Sequence, residues 1–500
     1  MRSALAPYAT AGIALVGAGI IAVTPVAPRP LGVQVRAVHL TAGETVGLVI
    51  GGSGTPIPGT DYVDAANALY ISSNAPDTTY PGVLANGLFT PEGLYPLDGI
   101  NVLRLNYPAD STGFPAQSTS VGQGMTILDN NIHAQIADGN NVTVFGYSQS
   151  STIASLEMQQ LDPSGTPSDL PVQFVLIADP SNPNGGLLER FNGFETTSGT
   201  SNPLELNAPS MGISFDGATP ADDFQTSIYS LEYDGFADFP RYPLNFLADL
   251  NAFLGIKELH GTYLNGGVDG SGPTPEQIAG ATLLPGSADS TTDPCADCLT
   301  NYYMIDEAPP LVQLLPKPLQ DLLGPDLTYL INLGYGDGTL GYSDAPANVA
   351  TPFGLAPDVS MSTMMSTLAA DTTQGWNALT ADMSEPSSLS WALPSVASEA
   401  ATTTSTTLPS LTDIVAAFTS AASSANGAMS GLSDVFNALF TTLPAYEASL
   451  FSANLASGDL LDAFGLPMAA STAVDTLAAG FGLQIITNAA SEIQAAFAGL

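Results

Sequence analysis

Residues 141–150 read Asn141-Val142-Thr143-Val144-Phe145-Gly146-Tyr147-Ser148-Gln149-Ser150, and this stretch decides the fold. An apolar strand pattern leads into Gly-x-Ser-x-Ser, and a helical pattern follows over residues 150–160. In a nucleophile elbow, a sharp strand-to-helix turn presents a strained serine, so the residues two positions before and after it must be small. Gly146 and Ser150 meet this need around Ser148, with serine in place of the usual second glycine. The alternative is an ordinary turn in which Ser148 caps the helix.

Strand and helix patterns alternate along the middle of the chain. Predicted strands lie at residues 46–50, 100–105, 141–145, 172–178 and 226–233. Predicted helices lie at residues 61–71, with Asp61 as the cap, and at 121–137, 150–160 and 243–256. This alternation predicts the α/β class, with a mostly parallel sheet covered by helices on both faces. Ligands of such sheets bind at the carboxyl ends of the strands.

The histidines are few enough to be assigned by elimination, because the chain has 3 of them. In doubly wound hydrolases a catalytic triad follows the chain order serine, acid, histidine, and only His260 lies on the correct side of Ser148. His260 follows a predicted helix and precedes a glycine, which suits the presentation of an imidazole. The alternative for it is a surface loop. His39 precedes the predicted chemistry, and His133 is expected to be a partly buried structural residue of its helix.

The acid of such a triad must lie between the serine and the histidine, at the end of a strand. Asp234 is the first candidate, because it ends a predicted strand and precedes a glycine. Asp238 and Asp179 are the alternatives, and each of the two can instead be a turn residue or a helix cap. The role of the acid is to hold the histidine tautomer and to stabilise the imidazolium.

An oxyanion hole needs two backbone N–H donors. We expect one from Gln149, which follows the predicted nucleophile, and the other from the glycine-rich loop of residues 51–55, at Ser53 or Gly54. The loop is not a phosphate-binding loop, because no Gly-Lys-Ser/Thr follows and its glycine spacing differs from Gly-x-Gly-x-x-Gly. The alternative is a plain turn.

Composition excludes several classes of function. The chain has 500 residues with 8 Lys+Arg against 47 Asp+Glu, a formal net charge of −39. Nucleic-acid binding is excluded, because it requires clustered cations. With 3 His and 2 Cys we expect no metal site and no cofactor.

The first 30 residues have the pattern of an export segment. Arg2 precedes an apolar run over residues 9–23, which is shorter than a full membrane span and suits a signal peptide or an uncleaved signal anchor. We therefore expect a secreted or cell-envelope protein, and an uncleaved signal anchor would hold it to the membrane at this end. Export would also allow a disulfide between Cys295 and Cys298.

The last 160 residues, 341–500, differ in composition from the rest. They are rich in Ala, Ser and Thr, and no basic residue follows Lys317. Residues 401–407 read as a low-complexity linker. Later residues show helical apolar spacing, which favours amphipathic helices that pack together or against the catalytic domain. Contact of their apolar faces with neutral lipid or cell-wall material is the alternative.

Six motifs in order along the chain resemble the PE-PPE domain, a cutinase-like serine α/β-hydrolase domain of mycobacteria. They are residues 50–56, Ile-Gly-Gly-Ser-Gly-Thr-Pro; 90–92, Thr-Pro-Glu; 146–150, Gly-Tyr-Ser-Gln-Ser; 233–240, Tyr-Asp-Gly-Phe-Ala-Asp-Phe-Pro; 260–263, His-Gly-Thr-Tyr; and 334–337, Gly-Tyr-Gly-Asp. The resemblance covers residues 40–340 and supports Asp234 over Asp238 as the acid. It implies esterase or lipase activity, and some members resemble acyltransferases of trehalose glycolipids. Many members carry a Pro-Glu or Pro-Pro-Glu module where this chain has its export segment.

These observations predict an exported serine hydrolase with three parts: an export segment at 1–30, the hydrolase domain at 40–340 and the acidic helical region at 341–500. Ser148, His260 and Asp234 would cleave acyl esters of lipids or acylated glycolipids through an acyl-enzyme. An acyltransferase of envelope glycolipids is the first alternative. A non-catalytic envelope protein is the second.

Overall fold

A mostly parallel sheet runs through residues 45–305 of the chain. The computed structural model describes residues 45–52, 55, 58–74, 78–79, 120–194, 217–291, 295, 298–383 and 411–498. In these residues the strand order is β2-β1-β3-β4-β5-β7-β6, and every neighbouring pair is parallel except β6 with β7. The strands are β1 Thr45–Val49, β2 Thr78–Thr79, β3 Asn141–Tyr147, β4 Val172–Ile177, β5 Gln225–Leu231, β6 Thr282–Leu283 and β7 Thr300–Ile305.

Helices connect and cover these strands. Helix α1, Thr60–Ala66, continues through a π-helical turn, Asn67–Ile71, to Ser72–Asn74. The others within residues 120–332 are α2 Ser120–Ala137, α3 Gln149–Leu161, α4 Leu187–Arg190, α5 Phe246–Glu258, α6 Pro275–Ala279, α7 Pro310–Gln313 and α8 Lys317–Asn332. Those that follow are α9 Met361–Met383, α10 Leu411–Asn437, α11 Leu443–Ser457 and α12 Leu460–Ala498, with a π-helical turn, Ala438–Thr442, between α10 and α11.

Strand β3 shows why helices lie on both faces of the sheet. Its side chains alternate, so Val144 packs in one buried cluster with Leu128 of α2. Phe145 packs in a second cluster, on the opposite face, with Tyr70 of the π-helical turn after α1. A strand that is buried on both faces reads as a nearly continuous apolar run. The predicted α/β-hydrolase architecture, a mostly parallel sheet between helices, is confirmed.

Several predicted boundaries differ from the structure. Gly59, without a side-chain cap, precedes α1, so Asp61 lies in the first turn and the prediction that it caps the helix is wrong. Strand β5 ends at Leu231, and Asp234 lies in the turn that follows rather than at the strand end. The predicted strand at 100–105, the linker at 401–407 and the export segment lie outside the described residues.

The C-terminal helices pack on the part of the chain that contains the sheet as well as on one another. A third buried cluster joins Phe191 and Phe239 of that part to Tyr446 of α11 and Ala470 of α12. The small alanines on this side of α12 let the helices approach closely. Among the described helices, α12 alone is long and apolar enough to cross a membrane, and 33% of its most apolar stretch is buried.

Cys295 and Cys298 form the disulfide that the sequence allowed.

Candidate active site

Ser148 occupies a strained turn between β3 and α3. Its φ is 59° and its ψ is −118°, in a region that residues with a side chain rarely adopt. It stands at the N-cap position of α3, yet its side chain makes no capping hydrogen bond. The hydroxyl instead lies 2.7 Å from Nε2 of His260. The side chain of Ser148 therefore does not cap α3, and the alternative prediction of a helix cap is wrong.

The small residues around Ser148 allow this turn and also tie it to the sheet. A Cβ on Gly146 would lie 2.7 Å from the carbonyl oxygen of Ser150, so only glycine fits there. Ser150, which stands where a second glycine is usual, accepts a hydrogen bond from the amide of Tyr147 at 2.7 Å. Its hydroxyl also lies 3.1 Å from the carbonyl oxygen of Ile50, at the end of β1. The serine thus links the turn to the neighbouring loop, a contact that glycine cannot make.

His260 lies in the turn that follows α5. Its ring joins two groups, because Nε2 faces the Ser148 hydroxyl and Nδ1 lies 2.9 Å from each carboxyl oxygen of Asp234. The side chain of His260 is 13% exposed, whereas that of Asp234 is fully buried. With Nδ1 protonated and donating to Asp234, Nε2 is left to accept the serine proton.

Asp234 is held by donors besides the imidazole. The amide of Phe236 donates to Oδ1 at 3.1 Å, and the hydroxyl of Tyr263 donates to Oδ2 at 2.7 Å. A buried carboxylate needs such partners, because desolvation otherwise disfavours its charged form. The structure therefore brings Ser148, His260 and Asp234 into one hydrogen-bonded series, in the chain order that the sequence predicts.

The two alternative acids, Asp179 and Asp238, are buried but are not hydrogen-bonded to His260. Asp179 accepts hydrogen bonds from the amide of Ser181 at 3.0 Å and the hydroxyl of Thr219 at 2.6 Å. Burial raises the pKa of Asp179 to about 6, against the lowering effect of these two donors. Asp238 accepts from the amide of Tyr233 at 3.0 Å, and burial raises its pKa well above the ordinary value. Both act as turn residues here.

The remaining histidines take no part in this site. His133 is exposed, and Nδ1 of its ring lies 3.0 Å from Oδ1 of Asp129, one turn earlier on α2. The expectation of a partly buried histidine is wrong, because α2 turns the neighbouring Ile132 toward the sheet and His133 toward solvent. His39 lies outside the described residues.

Three buried tyrosines support the histidine turn, and the sequence analysis assigned them no role. Tyr147 donates its hydroxyl hydrogen to the carbonyl oxygen of His260 at 2.5 Å, and Tyr70 donates to that of Tyr263 at 3.0 Å. Tyr263 in turn bonds Asp234. In the sequence, only the positions of two of these tyrosines could have indicated such a role. Tyr147 directly precedes the predicted nucleophile, and Tyr263 is three residues beyond His260.

The predicted oxyanion hole lies partly within the described residues. Gln149 begins α3, directly after Ser148, so its backbone N–H belongs to the first turn of a helix. Gly52 comes close to the turn, since a Cβ there would lie 3.6 Å from Cβ of Ser148. Ser53 and Gly54, the predicted second donors, lie outside the described residues.

The wall of the site next to the imidazole is apolar. Phe236 meets the His260 ring edge-on, with 4.6 Å between ring centroids, and it packs against the same buried cluster as Leu477 of α12. Phe253 of α5 and Phe481 of α12 meet nearby at 5.4 Å. Among the described residues no group of three His, Cys, Asp or Glu side chains is placed to hold a metal ion.

The fold and the turn at Ser148 define the class: a protein with a parallel sheet, a strained serine at the carboxyl end of a central strand and a histidine–carboxylate pair beside it is an α/β-hydrolase. A family model, the PE-PPE domain, matches residues 81–336. The chain belongs to this family, so the resemblance seen in the six motifs is confirmed.

Curated relatives of the chain come from Mycobacterium tuberculosis. The uncharacterized PPE family protein PPE28 is 40% identical over 93% of this chain and 70% of its own length. The protein named esterase PE16 is 40% identical over 64% of this chain and 53% of its own length. The PE family protein PE3 is 34% identical over 67% of this chain and 63% of its own length. The chain thus spans about half to two thirds of these relatives.

Among solved structures, a cutinase-like protein from Cryptococcus sp. matches with 18% identity and a TM-score of 0.23. The match covers 39% of this chain and 79% of that protein.

Proposed function

We propose that this protein is a serine esterase that cleaves acyl ester bonds of lipids or acylated glycolipids. The observation that carries the proposal is the unbroken series from the Ser148 hydroxyl through His260 to the buried Asp234. A relative that is 40% identical and is named an esterase supports the same activity.

In the first half of the proposed reaction, the oxygen of Ser148 attacks the carbonyl carbon of the ester. His260 accepts the serine proton at Nε2, and Asp234 stabilises the imidazolium through Nδ1. The strained φ of Ser148 holds the hydroxyl at the carboxyl end of β3 before any substrate binds. When the tetrahedral intermediate collapses, the bond to the alcohol oxygen breaks, and the alcohol leaves with the proton that His260 returns.

The acyl-enzyme is then hydrolysed by the reverse order of events. Water loses a proton to Nε2 of His260 and attacks the acyl carbon, and the acid leaves as the Ser148 oxygen regains its proton. In both halves the carbonyl oxygen carries negative charge. The backbone N–H of Gln149 and the loop at Ser53 and Gly54 are proposed to donate hydrogen bonds to it.

The chemistry around the site favours an ester with an apolar acyl group. Phe236 stands edge-on to the imidazole, and apolar side chains of α5 and α12 continue from it. Phe236 is the partly exposed member of this group, and its ring supports the binding of an apolar acyl chain, which is stabilised by leaving water. The export pattern of residues 1–30 supports a location outside the cytoplasm, secreted or held at the cell envelope, where acylated lipids and sugars would be the substrates.

The test uses p-nitrophenyl esters of increasing acyl length and a fluorophosphonate probe, which labels activated serines. We expect the wild type to hydrolyse the esters and to be labelled, and Ser148→Ala to do neither. Ser164→Ala is the matched control, because Ser164 is an exposed serine of the loop after α3. A wild type that neither turns over any ester nor takes the label contradicts the proposal.

The same assay addresses the acyltransferase alternative. Transfer replaces water by a sugar hydroxyl in the second half of the reaction, with the same proton accepted by His260. Trehalose is added as the acceptor, and mass spectrometry looks for an acylated sugar. Release of free acid only supports the esterase, whereas accumulation of acylated trehalose supports the transferase.

A further inference from the structure

Helix α12 is apolar on two opposite faces. One face is buried against the rest of the protein through Ala463, Ala470 and Ala473. The other presents Leu460, Leu461, Phe464 and Met468 at helical spacing, and these side chains are between 61% and 74% exposed. A surface helix ordinarily has polar residues on its outer face. The outer face of α12 is therefore unusual for a helix that meets only water.

These side chains gather at the end of a helical hairpin. Helix α11 ends at Ser457 and is followed by Gly458, which has a φ of 85°, and α12 begins at Leu460. Leu455, at the end of α11, is 47% exposed, and the ring of Phe451 on α11 meets that of Phe464 at 5.3 Å. We call the exposed set the apolar tip, and it consists of Leu455, Leu460, Leu461, Phe464 and Met468.

We propose that the apolar tip inserts into a surface of uncharged lipid and holds the enzyme on its aggregated substrate. The inference rests on the proposed function, because it concerns how an esterase of lipids reaches them. Exposed apolar surface of this kind on a soluble protein marks a site of interaction. An amphipathic element can bind a lipid interface by burying its apolar side chains in the acyl boundary.

Charge decides which surface the tip can meet. Asp459 and Asp462 flank it, no Lys or Arg follows Lys317, and the whole chain carries a formal charge of −39. Anionic lipid surfaces attract Lys and Arg, so they repel this part of the protein. A second copy of the chain would bring the same carboxylates against one another. An uncharged lipid surface has neither cost.

Helix α12 carries the tip and also packs near the proposed site. Leu466 and Leu477 of α12 pack against the same buried cluster as Phe236. The Phe236 ring meets that of His260, the proposed base, with 4.6 Å between ring centroids. Docking through the tip therefore brings a lipid surface to the helix that packs against the same cluster as Phe236.

The experiment measures flotation of the full chain with phosphatidylcholine vesicles that contain a dispersed neutral triacylglycerol. Leu461→Gln/Phe464→Gln removes two apolar side chains from the tip. We expect a fall of about tenfold in vesicle partitioning for each side chain. Met361→Gln/Met365→Gln is the matched control, because these residues of α9 are 70% and 61% exposed yet lie outside the tip. We expect the control to partition as the wild type does.

Hydrolysis of a short, water-soluble ester separates this inference from the proposed function. It should be unchanged in both variants, while hydrolysis of the emulsified lipid falls in the tip variant alone. Equal vesicle binding by the wild type and the tip variant overturns the inference. So does light scattering that shows a dimer in the wild type and a monomer in the variant, since a second copy then covers the tip. Flotation does not depend on catalysis. A wild type without esterase activity would therefore contradict the proposed function, while vesicle binding by the tip could still be measured.

Discussion

Tyr263 donates its hydroxyl hydrogen to Oδ2 of Asp234 at 2.7 Å, from a position fully buried in the protein. The same hydroxyl oxygen accepts a hydrogen bond from the amide of Leu231 at 2.8 Å. Burial, followed by the charge of Asp234, raises the pKa of Tyr263 well above its ordinary value, so the phenol remains a neutral donor. Asp234 is therefore oriented from β5 through Tyr263 as well as by His260.

Replacement of Tyr263 by Phe tests this arrangement. The variant loses one hydrogen bond to a charged group, and we expect kcat/KM for a soluble ester to fall about tenfold, with most of the loss in kcat. Tyr70→Phe is the control, since its hydroxyl bonds the backbone of Tyr263 and not the carboxylate. A Tyr263→Phe variant with the wild-type kcat would show that Tyr263 is only structural.

Asp234 and Asp238 lie in one turn, and replacing each of them by Asn distinguishes their roles. Asp234→Asn leaves the shape of the site but disfavours the productive imidazole tautomer, and we expect kcat to fall by about 10³–10⁴. Asp238→Asn removes a buried carboxyl that bonds only the amide of Tyr233 in the described structure, so it should change stability more than kcat. Rates and urea denaturation curves of both variants check this. A large loss of kcat in Asp238→Asn with normal activity in Asp234→Asn would reverse the assignment.

The parts of the site that could be predicted from the sequence are those with a local rule. Gly146 and Ser150 reveal the turn at Ser148 by size alone, and the order of residues along the chain selects His260. Asp234 could be ranked first but not separated from Asp238, because both lie in one turn and only the fold decides which meets the imidazole.

The roles of the tyrosines could not be predicted, because they depend on contacts between distant segments. Tyr70 and Tyr263 are 193 residues apart in sequence, yet one bonds the other. The apolar tip could not be predicted from the sequence for a similar reason. Helical spacing shows that a residue such as Phe464 lies on an apolar stripe, but only the packing of α12 shows that this stripe faces outward.

Replacement of Gly146 by Ala tests whether the turn needs a residue without a side chain. The new Cβ would lie 2.7 Å from the carbonyl oxygen of Ser150, which is backbone and cannot move without shifting α3. We expect a loss of about 1–3 kcal/mol in the free energy of unfolding and little or no labelling of Ser148 by the fluorophosphonate. Gly59→Ala is the control, because a Cβ there meets no atom within 4 Å. Full labelling of Gly146→Ala would contradict the steric argument.

Glu157 of α3 makes the stability of the protein depend on pH. Its side chain is fully buried, and burial, followed by the charge of Asp129, raises its pKa from 4.5 to about 8. The folded state therefore binds a proton that the unfolded state has released between these two values. The contribution of Glu157 to stability is complete below about pH 4.5 and is lost as the pH rises through about 8.

Replacement of Glu157 by Gln removes this proton uptake and keeps the shape of the side chain. Across this window the free energy of unfolding of the wild type should fall, relative to that of the variant, by up to about 1.4 kcal/mol per pH unit. The variant should therefore gain stability over the wild type as the pH approaches 8. Urea denaturation at pH 5 to 9 measures the difference, and Glu258→Gln, an exposed carboxylate beside Lys257, is the control. Because other buried carboxylates, such as Glu232, titrate in both proteins, only the difference between the two curves reports on Glu157. If the free energies of unfolding of the wild type and of Glu157→Gln changed with pH in parallel, Glu157 would be charged in the folded state as it is in the unfolded state. That result would contradict the prediction.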